Sequence, residues 1–167
     1  YPMSEERTRN STVAPISNLV APGEYQVHLT VGDETQTQTI KVLKDPNSEG
    51  TMEDIQLQKE LLGKIKTDVE EISNTVNKAE RIRRQLQDLK PLLSKDMKDL
   101  SKVLNQVDST AQEIENKMIQ LKHTGTGQDA IRLPGQLLEK LSYLSTTVGI
   151  ADFRPADQYG EVFEELH

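Results

Sequence analysis

Histidine is the side chain best suited to metal binding or proton transfer at neutral pH, and this chain has three. His28 falls in a strand pattern, His123 at a helix end and His167 in a terminal helical stretch. None has a second histidine three or four residues away, the spacing of a ligand pair on one helix. Carboxylates are plentiful, but most alternate with lysine on polar helix faces. Glu70-Glu71 and Glu164-Glu165 are adjacent pairs, so their side chains diverge around a helix. Paired acid–base chemistry needs two carboxylates at a defined separation in different environments. Gly125-Thr126-Gly127 has the glycines of a phosphate loop. No strand precedes it and no Gly-Lys-Ser/Thr follows, so a helix end and loop is the better account. The serines lack a Gly-x-Ser-x-Gly elbow. Asn10-Ser11-Thr12 is a formal glycosylation sequon that matters only in a eukaryotic secretory setting. With no cysteine, thiolate catalysis, disulfides and zinc–thiolate sites are all excluded. The residues thus lead us to expect no catalytic, cofactor-binding or metal site.

What the sequence does carry is an apolar stripe at coiled-coil spacing. From Leu62 it runs through Ile65, Val69, Ile72, Val76 and Ala79. After Pro91 it resumes as Leu93, Met97, Leu100, Leu104, Val107, Ala111, Ile114, Met118 and Leu121. Every step is three or four residues, the pattern of core positions on paired helices. Between Ala79 and Leu86 the spacing slips, because Ile82 rather than residue 83 is apolar. Hydrophobic content of 34% with only 4% aromatics suits a bundle filled by Leu, Ile and Val. A net charge of −7 argues against a nucleic-acid partner, since phosphate binding needs a basic surface. Arg81, Arg83 and Arg84 form a local basic spot beside Glu80 and Asp88, which reads as a solvated helix face. No apolar run approaches the ~20 residues needed to span a bilayer.

The pattern divides the chain into three parts. Residues 1–20 read as an irregular N-terminal arm. Residues 21–46 read as a β-hairpin, with Tyr25, Val27, Leu29 and Val31 on one face and a reversal at Gly32-Asp33. A lone hairpin is marginal in water, so it must pack on helices, pair with another chain or join a larger sheet. Residues 51–167 read as an elongated antiparallel bundle of three to four helices, at about 51–90, 94–122, 134–149 and 155–167. Thr51 and Asp54 offer a capping box, and Pro91 breaks the first helix. We place a reversal near Lys90–Ser94, with one long kinked helix as the alternative. Pro134 and Pro155 are read as first residues of the last two helices. Leu137, Leu138, Leu141, Leu144 and Val148 line one, and Tyr159, Val162, Phe163 and Leu166 the other. The fold class is mainly α with a small β part. The opening Tyr1-Pro2 and a helical pattern that continues to His167 suggest an excised piece of a longer polypeptide.

Several stretches resemble one family. Ala21-Pro22-Gly23-Glu24-Tyr25-Gln26-Val27-His28-Leu29-Thr30-Val31, then Lys44-Asp45-Pro46, is similar to the Ig-like strand segment with a DP motif in bacterial sortilin-like proteins. These are β-propellers with neuraminidase-type repeats, often labelled glycosyl hydrolases. Gly127-Gln128-Asp129-Ala130 leading to Pro134 resembles their "GQDALNFP" stretch. Arg154-Pro155-Ala156-Asp157-Gln158-Tyr159, with Glu161-Val162-Phe163-Glu164-Glu165-Leu166, resembles their "RPTAQAYEVFDEL" ending. Tyr1-Pro2 is similar to the close of a "WDLRYP" strand. Ile131-Arg132-Leu133 departs from the family's Leu-Asn-aromatic run. The resemblance covers about Ala21 to Leu166 and implies the C-terminal accessory region of an exported protein. Its partner would be the N-terminal propeller of the same polypeptide, and the propeller would hold any carbohydrate chemistry.

The expected function is accordingly a non-catalytic structural or interaction module. Two alternatives stand beside it. One is a coiled-coil oligomerisation or signalling hairpin, self-associating through the hairpin edge or the helical seam. The other is a part of a glycoside hydrolase in direct contact with substrate.

Overall fold

The computed structural model describes residues 19–94, 96–122 and 128–167. Nearly all of the expected N-terminal arm therefore lies outside the described residues, as do the sequon, His123 and Gly125-Thr126-Gly127.

The β part is a two-stranded antiparallel sheet, β1 (Gly23–Val31) and β2 (Glu34–Val42). Val31 pairs with Glu34, Tyr25 with Ile40 and Gly23 with Val42, without a bulge. The two-residue reversal is possible because Gly32 takes φ +61°, a conformation that costs a residue without Cβ nothing. Alternation places Tyr25, Val27, Leu29, Val31 and Ile40 on one face. Val27, Leu29, Val31 and Ile40 are all exposed, so the bundle does not cover this face.

Helix α1 (Met52–Leu89) is the spine, 38 residues and about 57 Å long. Its start is the expected capping box. The Thr51 hydroxyl accepts from the Asp54 N–H at 3.1 Å, and the Asp54 carboxylate accepts from the Thr51 N–H at 2.9 Å. Ile55, Leu62, Ile65, Val69, Ile72, Val76, Ala79 and Leu86 form one buried face along its whole length. The helix ends at Leu89, and Lys90–Leu92 forms a single 3₁₀ turn with Pro91 in its first positions. Proline fits there because no intrahelical N–H is required of it. The chain then reverses, and helix α2 (Lys98–Met118) runs back along the C-terminal half of α1. Pro91 marks a reversal, not a kink.

After α2 come a short helical turn, α3 (Asp129–Arg132), then α4 (Leu137–Val148) and α5 (Asp157–Leu166). Helix α4 packs on the N-terminal half of α1, and α5 packs on α4. Leu138, Leu141, Leu144 and Val148 join Leu62, Ile65, Val69, Ile72, Ile119 and Phe163 in the main core. Gly149 caps α4.

Three sequence expectations need correction. Neither Pro134 nor Pro155 is the first helical residue. Helix α4 starts at Leu137 behind a Gln136–Glu139 capping box, and α5 starts at Asp157 behind Ala156. The extended backbone at Gln136 and Ala156 sets those starts, reinforced at Gln136 by the bond to Glu139, so each proline sits just upstream. Val162 is exposed, because Phe163 alone fills the buried position on that helix. The third correction is the largest. The expected seam on α2 divides, with Leu104 and Ala111 buried while Met97, Leu100, Val107, Ile114 and Leu121 remain exposed. Among the described residues only α1 packs along most of α2, and one neighbour can cover only half of a stripe that wide.

Gly63 lies inside α1, and a Cβ built there meets nothing within 4 Å. Gly63→Ala should therefore stabilise the chain by about 1 kcal/mol, from helix propensity alone. Chemical denaturation of the two proteins measures the difference.

Candidate functional site

A cluster of linked ion pairs lies between α1 and α2, where the seam pattern slips. Position 83 is turned towards α2, where an aliphatic residue would continue the seam, and arginine stands there. Its guanidinium donates from Nε to Asp108 Oδ1 at 3.0 Å and from Nη1 to Glu115 Oε2 at 2.6 Å. Lys90 Nζ donates to the other Asp108 oxygen at 2.9 Å. Arg83 on α1 and Lys90 at its C-cap are seven residues apart, and 108 and 115 are seven apart on α2. Seven residues is close to two helical turns, so each pair projects from one face. Antiparallel packing then interleaves two cations with two anions.

Burial separates these groups. The Glu115 side chain is 1% exposed, Arg83 23% and Asp108 22%. A carboxylate taken out of water needs a partner with matched geometry, and the planar guanidinium supplies it. The hydrogen bonds from Lys90 and then Arg83 hold the Asp108 carboxyl below its usual 3.8. Two sequence expectations are corrected here. Arg81 and Arg84 are solvated as expected, but Arg83 is not. Glu115, expected among the solvated carboxylates, is one of the most buried side chains described. The clue was the missing apolar residue at 83. The partners were not identifiable, because pairing depends on the register of α1 against α2.

Elsewhere, buried polar groups tie loops to the spine. The Gln58 side-chain amide donates to the Val148 carbonyl at 2.7 Å and the Ala151 carbonyl at 2.6 Å. The Ser48 hydroxyl donates to the Asp152 carbonyl at 2.9 Å. Gly50 is buried so close to Asp152 that a Cβ would collide with its carbonyl. Glu139 accepts from the Gln136 N–H at 2.8 Å and the Gln120 N–H at 3.1 Å, joining the start of α4 to the end of α2. Among the described residues, no buried side-chain nitrogen or oxygen lacks a hydrogen-bond partner. Also among them, no three His, Asp or Glu side chains form a group that could hold a metal ion.

The two described histidines, His28 and His167, do not converge. The His28 ring is hydrogen-bonded to the Thr37 hydroxyl across the hairpin at 2.8 Å, on an exposed face. His167 stacks on Phe163 and meets Asp68 Oδ2 at 2.9 Å, joining the end of α5 to the middle of α1. Sequence spacing could not reveal that carboxylate, because it lies 99 residues away. Glu70, Glu71, Glu164 and Glu165 are all exposed, as expected. The arrangement can hold helices in register, and every charged group at its centre is already engaged by another.

No family model, curated protein or solved structure matches this chain.

Arg83→Ala leaves Glu115 buried without its guanidinium and should cost about 3 kcal/mol. Replacing Arg83 and Glu115 together by leucine should recover most of that loss in a denaturation double-mutant cycle. Because Asp108 is held below 3.8, its contribution is present above that pH and is lost as pH falls through the lowered value. His167 has the opposite sign. Its hydrogen bond and attraction to Asp68 raise it above 6.5, so its contact is complete below 6.5 and weakens as pH rises through the raised value. An NMR titration of His167 should show that shift, and Asp68→Asn should abolish most of it.

Proposed function

We propose that this chain is a non-catalytic structural and interaction module, a strand hairpin joined to a helical bundle that braces or extends a larger protein. The observation that carries this reading is the use of polar groups in the interior. Buried Glu115, Gln58 and Ser73 each engage the protein itself, and aliphatic side chains fill the space between the helices. A catalytic cleft requires polar groups held ready for a substrate. The candidate site instead spends its charges on helix registry.

The larger protein is proposed from the resemblance stated above. On that reading the module is the C-terminal accessory region of an exported sortilin-like propeller protein, and the propeller is its intramolecular partner. The uncovered apolar face of β1 supports a need for such a partner, since a two-stranded sheet is marginal alone. A second reading, oligomerisation through helices, is favoured by the exposed half of the α2 stripe.

Incubation of the chain with a panel of glycosides tests the non-catalytic reading, and the expected result is no turnover. Hydrolysis that disappears on one carboxylate-to-amide change, such as Glu139→Gln or Asp54→Asn, with folding retained by circular dichroism, would overturn it.

A further inference from the structure

The hairpin of α1 and α2 has two unlike sides. In an α-helix each residue turns about 100° from the last, so Asp108 and Glu115 stand to one side of the inward-facing Leu104. Leu100, Val103, Val107 and Ile114 stand to the other side, roughly 40–100° round from Leu104. On α1 the same construction about Ala79 separates Arg83 from Ile82 and Leu89. Because the helices are antiparallel, equal rotational senses fall on the same side of the hairpin. One side is therefore closed by the Arg83–Asp108–Glu115–Lys90 ion pairs. The other presents Ile82, Leu89, Leu100, Val103, Val107 and Ile114, each 37–53% exposed.

We propose that this aliphatic side is a self-association surface, on which a second copy of the chain lies with its α2 antiparallel to the first. Three observations specify the occupant. Leu100, Val107 and Ile114 repeat every seven residues, the repeat of a helix packed on a helix. A two-helix hairpin with one apolar side lacks two helices of a four-helix bundle, and a two-fold related copy supplies both. The outer flank of α2 carries Asp99 in its first turn and Lys117 in its last. Antiparallel copies place Asp99 of each beside Lys117 of the other, whereas parallel copies would oppose like charges. The face runs about 21 Å from Leu100 to Ile114 and is about 20 Å wide across both helices, roughly half of the ~800 Å² per partner of a standard interface, so association in the micromolar to submillimolar range is expected. This surface deepens the interaction-module reading and fails separately from it, because self-association and turnover are measured independently.

Sedimentation equilibrium of the 167-residue chain at micromolar to submillimolar concentration tests the proposal. The expected species is a dimer of twice the 18.8 kDa chain mass. Val107→Glu, at an exposed position and so compatible with folding, should weaken it about tenfold or more. Asp99→Lys or Lys117→Glu alone should also weaken it, and the two together should restore it. A monomer at every concentration would overturn the proposal. So would a dimer indifferent to Val107→Glu, which would place the contact elsewhere, such as on the β-hairpin. Failure of the paired reversal to restore association would overturn the antiparallel arrangement.

Discussion

Burial of one aliphatic face along the whole of α1 is the constraint on which everything else in this protein rests. A helix of 38 residues cannot persist in water on propensity alone, and it contains an unfavourable glycine. Its stability comes from the packing of Ile55 through Leu86 against other elements. Those elements divide the work, with α2 on the C-terminal half and α4, supported by α5, on the N-terminal half. The apolar positions recur nearer to every 3.5 than every 3.6 residues, so the buried face drifts slowly around the helix. That drift lets α2 and α4 share one spine while approaching it from different directions.

Within this frame, Arg83 is the charged departure from apolar packing on a buried face that also carries the polar Gln58 and Ser73. A leucine there would bury more surface, and buried ion pairs are commonly no more stabilising than well-packed hydrophobic groups. What the pairs with Asp108 and Glu115 add is selectivity. A one-turn slip of α2 along α1 would leave Glu115 buried opposite aliphatic groups, at a cost that slipping an all-aliphatic seam would not incur. The loops use the same device. Gln58 and Ser48 hold the carbonyls of the α4–α5 connection, and Gly50 gives that connection room to approach the start of α1.

The polar groups inside the protein are thus used for registry, and the unsatisfied surfaces are apolar. Both support the proposed reading of a module that acts through contact. The free face of β1 and the outer half of the α2 stripe are separate surfaces of different geometry, one flat and extended, the other ridged by helices. The first fits the larger-protein partner proposed from the resemblance, and the second fits a copy of the chain itself.

Local patterns in the sequence determined the mainly α class, the hairpin with its turn at Gly32, the Thr51–Asp54 cap and the break at Pro91. Each depends on a few neighbouring residues, so local physics suffices. Pro134 and Pro155 misled because a proline tolerated in a first turn is equally at home just before it. Only the tertiary structure decided which members of the α2 stripe are covered, since periodicity shows that a face is apolar but not how many neighbours it meets. Only the structure, too, joined Arg83 to Glu115 and Asp68 to His167. Those contacts bring together residues 32 and 99 apart in sequence, and they exist because the packed helices bring distant turns to one level.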